Sequence, residues 1–136
     1  MSETDDLRGA AFHEAGHVVV ARHFGLCVGE IEIGIDGDPA KGQAEIGDAD
    51  HLSVVDQLAL CAAGMEAQEM FKAPTHDIAG FGDAVKMFNL LDSAKAESEP
   101  LREAAYKRAR EILKMHEAEV EDLAQRLLRE RRIPAQ

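Results

Sequence analysis

The chain has 136 residues, a formal net charge of -11 and an apolar share of 46%, with five Phe, one Tyr and no Trp. That length supports one domain spanning residues 1–136, with a core built from Ala, Val, Leu, Ile and Met rather than aromatics. The charge opposes a phosphate-backbone partner, no apolar run approaches the roughly 18 residues of a membrane helix, and the start Met1-Ser2-Glu3-Thr4-Asp5-Asp6 is acidic where a signal peptide is basic, so the expectation is a soluble, cytoplasmic protein with neither nucleic acid nor membrane as partner.

The first predicted helix runs from about Asp6 to Phe24, with acidic residues in its first turn and Gly25 as its stop. In its middle stands His13-Glu14-Ala15-Gly16-His17, the H-E-x-x-H pattern, which a chain of this composition would produce by chance at roughly 3%. Residues four apart differ by about 40° around a helix, so both imidazoles leave one face and can grip one metal ion. Glu14 follows the first imidazole directly, where its carboxylate reaches a water beside the metal rather than the metal itself. Gly16 costs a helix interior about 1 kcal/mol relative to Ala and therefore needs a packing or functional reason.

Val28 to Ile35 alternates with period two and breaks at Asp36-Gly37-Asp38-Pro39, predicting a strand and a turn. Gly42-Gln43-Ala44-Glu45-Ile46 supplies a second strand for an antiparallel pair or small sheet. Ser53 with Asp56 three residues on resembles a capping box and opens a second, buried helix reaching Phe71. A third helix begins near Gly80 and carries Asp83 near its start. Residues 92–98 read as a surface connection, and Pro100 as the first residue of a long final helix whose apolar stripe runs from Leu101 to Leu128. The arginines at 126, 129, 131 and 132 read as a solvated helix end that complements the dipole. Cys27 and Cys61 form no C-x-x-C pair and read as buried thiols without chemistry. The fold class is therefore mainly α with a small β-sheet or hairpin.

A catalytic zinc needs three protein ligands and one open position, so His13 and His17 need a companion. His23 stands at the metzincin spacing, but that pattern turns the chain at a glycine where this sequence has Val20. On a continuous helix His23 lies about 240° around from His17 and faces away. Glu66 and Glu69 stand where a thermolysin-like enzyme places its glutamate. Asp83, preceded by glycines at 80 and 82, offers a carboxylate at a helix start, with Asp77 and His76 as weaker alternatives.

The run Ala11 to Ala21 resembles the start of the peptidase domain of the FtsH-type AAA+ zinc proteases. Leu60 to Phe71 is similar to that family's glycine-rich helix ending in paired acidic residues and an aromatic. Gly80 to Lys86 falls where the family has a small-residue loop followed by a ligand aspartate, and Tyr106 to Leu113 resembles its closing helix. The resemblance covers most of the chain in order and implies an FtsH-peptidase-like fold, Zn2+ as cofactor, His13, His17 and Asp83 as its ligands, and Glu14 as catalytic base. No G-x-x-x-x-G-K-[ST] run is present in these residues, so no ATPase motor accompanies the peptidase motif.

The functional expectation is a zinc metalloendopeptidase that hydrolyses peptide bonds in unfolded or flexible protein segments without ATP. An extended substrate would add to the exposed edge of the strand pair. The alternative is an inactive peptidase-like module that docks onto a partner protein, such as a separate ATPase or a protein to be regulated. The family's hexameric rings raise homo-oligomerisation as a further arrangement.

Overall fold

A computed structural model describes residues 2–74, 81–94 and 98–135, with the side chain of residue 81 outside the description. Among them are five α-helices and one three-stranded antiparallel sheet, so the mainly helical α+β class read from the sequence is the observed one. No helix among the described residues is long and apolar enough to cross a membrane.

Helix α1 (Glu3–His23) starts three residues earlier than its apolar pattern suggests, because Ser2 caps it by accepting from the Asp5 amide at 3.1 Å. From Gly9 to Ala21 every residue is buried, so the helix is the central rod of the fold rather than an amphipathic surface helix. Its small residues allow close approach on several sides. A methyl group on Gly16 would stand 2.5 Å from the Ala63 carbonyl oxygen and 2.6 Å from the Ala67 Cβ, which is the packing reason for a glycine there.

Strands β1 (Val28–Ile33) and β2 (Gly42–Ile46) pair antiparallel, joined through a short 3-10 turn at Ile35–Gly37. The order is β2-β1-β3, which leaves β2 as an edge strand. Helix α2 (Val54–Met70) opens on Ser53, whose hydroxyl accepts from the Asp56 amide at 3.1 Å, as the capping signal predicted. Helix α3 (Phe81–Ser93) follows and carries Asp83 in its first turn.

The single long final helix of the sequence reading is two helices. α4 (Ser98–Met115) and α5 (Glu117–Glu130) meet at His116, whose backbone (φ -114, ψ 31) leaves the helical region. The apolar period runs on through the junction, so nothing in the pattern marks it. The break lets Ala105 and Ala109 pack with Leu58, Ala59 and Ala62 of α2, while Val120, Ala124 and Leu127 join the core around α1. Pro100 is the third residue of α4 rather than the first, still within the turn whose N–H groups have no helical partner.

Past α5, Arg131 adopts a left-handed conformation (φ 65) and its amide donates to the Leu127 carbonyl at 2.8 Å. The reversal sends Arg132–Ile133 back along β1 as a third strand, β3, with Ile133 buried against Ile31. Arg126 and Arg129 do lie on the solvated end of α5, where Arg126 pairs with Glu130 at 2.7 Å, but Arg131 is the cap beyond it and Arg132 lies on β3, pairing with Glu30 at 2.6 Å. The cysteine reading also needs correction. Cys27 is exposed in the link between α1 and β1, and Cys61 is half-buried on α2, both as free thiols.

A candidate metal centre on the central helix

The helical spacing of His13 and His17 places both side chains on the α1 face that meets α2. Their Nε2 atoms lie 3.1 Å apart. The Asp83 carboxylate arrives from α3, with Oδ2 3.1 Å from His13 Nε2 and 3.0 Å from His17 Nε2. Of the alternatives, Glu66 turns to Arg110 at 3.5 Å, Glu69 is exposed, and His23 lies with its Nδ1 3.1 Å from His116 Nε2 at the α4–α5 junction. Residues 76 and 77 lie outside the described residues.

The outer hydrogen bonds settle which imidazole atoms face inward. His17 Nδ1 lies 2.9 Å from the Leu60 carbonyl oxygen, which can only accept, so Nδ1 carries the proton. For His13 the same logic passes through Gln68. The Gln68 amide nitrogen donates to the Pro74 carbonyl at 2.7 Å, which turns its oxygen toward His13 Nδ1, also at 2.7 Å. Both Nδ1 atoms are donors, and both Nε2 atoms keep lone pairs.

With both imidazoles neutral, three acceptor atoms converge within 3.1 Å of one another in a largely buried place. Such a set is repulsive unless a cation sits among them. A proton partly serves: burial disfavours a charged His17, yet the hydrogen bond to Asp83 and the charges of Asp83 and Glu14 raise its pKa above the ordinary value. Burial likewise opposes the Asp83 charge, but hydrogen bonds to His13 and His17 hold its carboxyl well below the usual range. A metal ion serves all three at once. Tetrahedral nitrogen and oxygen ligands at about 2.0–2.1 Å from zinc stand about 3.3–3.4 Å from one another, within a few tenths of an ångström of the observed triangle. The donor set of two imidazoles and one carboxylate suits a divalent ion with a position left open.

Two residues of this site had no place in the sequence reading. Gln68, 2% exposed, fixes the His13 tautomer in the way outer partners orient metal-binding histidines. Gly64 keeps the centre open: a methyl group there would stand 2.5 Å from His13 Nε2 and 2.6 Å from His17 Nε2. The signal for both was their position on α2 at four-residue spacing, one turn apart on the face that also presents Leu60. That signal gains meaning only once α2 is known to lie against α1.

Glu14 is 7% exposed and has no hydrogen-bond partner among the described residues. Burial raises its pKa, against the pull of the His17 and His13 imidazoles, with the Asp83 charge adding to the rise. The carboxylate lies against β2: a methyl group on Gly42 would come within 3.1 Å of its Oε2. Two cavities meet at His13, Glu14 and Gly42. One, of about 650 Å³, is lined by His17, Asp83, Lys86, Leu60, Ala44 and Ile46 among others. The other, of about 330 Å³, lies between the first half of α1 and the turn ahead of β2. Together they make a groove along the edge strand with the candidate metal centre at its middle.

No protein-family model matches the chain, and a search of the curated proteins returned no match.

Proposed function

We propose that this protein is a zinc-dependent endopeptidase of the FtsH type that cuts extended segments of unfolded or flexible proteins. The observation that carries the reading is the convergence of atoms from His13, His17 and Asp83 beside Glu14, a largely buried residue that lines both cavities and has no hydrogen-bond partner among the described residues. His13 and His17 would hold the ion through Nε2 and Asp83 through Oδ2, leaving one side open toward the groove. Zinc in that place supplies Lewis acidity toward a water molecule and a carbonyl oxygen.

The rest of the reaction falls to the chain's own groups. Glu14 takes a proton from the attacking water, whose oxygen bonds to the carbonyl carbon; the carbon–nitrogen bond then breaks and Glu14 returns the proton to the departing amine. Its raised pKa makes it a better base than an exposed carboxylate, and the neighbouring imidazoles favour its ionised form. The outer edge of β2, unpaired with any strand among the described residues, offers backbone N–H and C=O groups to an extended peptide, and Gly42 brings that strand against Glu14. Gln68 holds His13 in the tautomer that keeps Nε2 available.

The test is cleavage of an unfolded protein substrate and short fluorogenic peptides by the zinc-loaded protein beside Glu14→Gln. The variant is expected to keep zinc and lose at least about 100-fold in rate, the usual worth of a general base. Full activity in the variant contradicts the mechanism. Zinc retention with no cleavage by the native protein would instead favour a metal-holding module that docks onto a partner.

A further inference from the structure

The smaller cavity, about 330 Å³, opens on His13 and Glu14 and is bounded by Asp6, Gly9 and Ala10 of α1, by Asp38 to Gly42, and by Gln68 and Pro74. Its volume lies at the small end of ligand pockets and is ample for one long side chain. The charges around it are unbalanced. Asp6 and Asp38 are among the lining residues, Asp38 exposed and accepting from the Ala40 amide at 3.0 Å through one carboxylate oxygen, and Glu14, nine-tenths buried and without a hydrogen-bond partner among the described residues, stands where the cavity meets the metal centre. Among the described residues the one cation on the wall, Lys41, forms an exposed ion pair with Asp36 at 3.2 Å. Arg8, the nearest cation on α1, donates to the Phe71 and Lys72 carbonyls at 3.1 Å each and does not line the cavity. Gly9 and Ala10 put no long side chain into the cavity, and the Pro74 carbonyl packs against Gly9.

Resting on the endopeptidase reading above, we propose that this cavity receives a lysine or arginine side chain of the substrate, next to the bond to be cut. An extended peptide on β2 alternates its side chains, so one of them falls into the cavity while the backbone crosses the metal centre. An ammonium or guanidinium group at the cavity end then meets Asp6 and Asp38, and its aliphatic stem covers Gly9 and Ala10. Low-dielectric walls strengthen the attraction relative to an open surface.

The test is binding of short fluorescein-labelled peptides to the zinc-loaded Glu14→Gln protein by fluorescence anisotropy, so that no turnover is needed. Peptides differing at one position as Lys, Arg or norleucine are compared in that protein and in the same protein with Asp6→Asn and Asp38→Asn added. Two partly exposed carboxylates predict roughly 5-fold tighter binding of Lys and Arg over norleucine. The preference should shrink as salt rises and fall to near unity in the added variant. Equal binding of all three peptides, or a preference untouched by Asp6→Asn with Asp38→Asn, overturns the pocket alone. Failure to bind any peptide overturns the endopeptidase reading and the pocket with it.

Discussion

The side-chain oxygen of Gln68 lies 2.7 Å from His13 Nδ1, held there because the same amide donates to the Pro74 carbonyl at 2.7 Å. One neutral side chain thus passes the orientation of a backbone carbonyl to an imidazole. Gln68→Ala should weaken zinc binding by about 10- to 100-fold, the usual effect of losing such an outer partner. Competition with a chromogenic chelator measures it. Unchanged affinity would show that His13 needs no such support.

Gly64 sits opposite both imidazoles, and a methyl group there would lie 2.5–2.6 Å from their Nε2 atoms. Gly64→Ala should cost at least tenfold in zinc affinity. The same change gains up to about 1 kcal/mol of helix propensity, so the metal-free protein should lose far less stability than metal affinity. Thermal unfolding with and without zinc separates the two effects. Native-like zinc binding by Gly64→Ala would show that the centre has more room than its geometry indicates.

How much of this was legible in the residues follows from range. The H-E-x-x-H run is local, so its placement on one face of α1 followed from helical spacing alone, and the Ser53 cap from its spacing to Asp56; the Ser2 cap was missed, because the apolar pattern begins only after it. The approach of Asp83 depends on how α3 docks, and only the family resemblance singled it out. Gln68 and Gly64 are ordinary helix residues until α2 is laid against α1. The break at His116 was hidden because the apolar period continues across it. Strand β3 was hidden because two residues make no pattern, and only the left-handed Arg131 turns them back to β1.

The two thiols should differ in reactivity. Burial, with the Asp83 charge adding and Lys86 opposing, pushes Cys61 up to about 11, whereas Cys27 is exposed. At neutral pH iodoacetamide should label Cys27 well before Cys61, with mass spectrometry of the digested protein as the readout. Faster labelling of Cys61 would contradict the assigned environment.

Glu66 provides a pH prediction away from the metal centre. Burial raises its pKa, with the Arg110 guanidinium 3.5 Å away opposing the rise. The neutral carboxyl therefore contributes stability that is full below the unfolded value, about pH 4.3, and is lost as pH rises through the higher folded value. Glu66→Gln removes this titration. Its stability relative to the native chain should rise between about pH 4 and pH 7 in urea unfolding. A difference that stays flat or falls over that range would show that Arg110 outweighs burial.

The central claim is that His13, His17 and Asp83 form one metal centre. Zinc per chain, measured by mass spectrometry of elements in the purified native protein beside Asp83→Ala, tests it most directly. The account predicts close to one zinc in the native protein and a clear loss in the variant. Native protein that takes up no zinc even when it is supplied, or an Asp83→Ala variant that holds it equally well, would contradict the account.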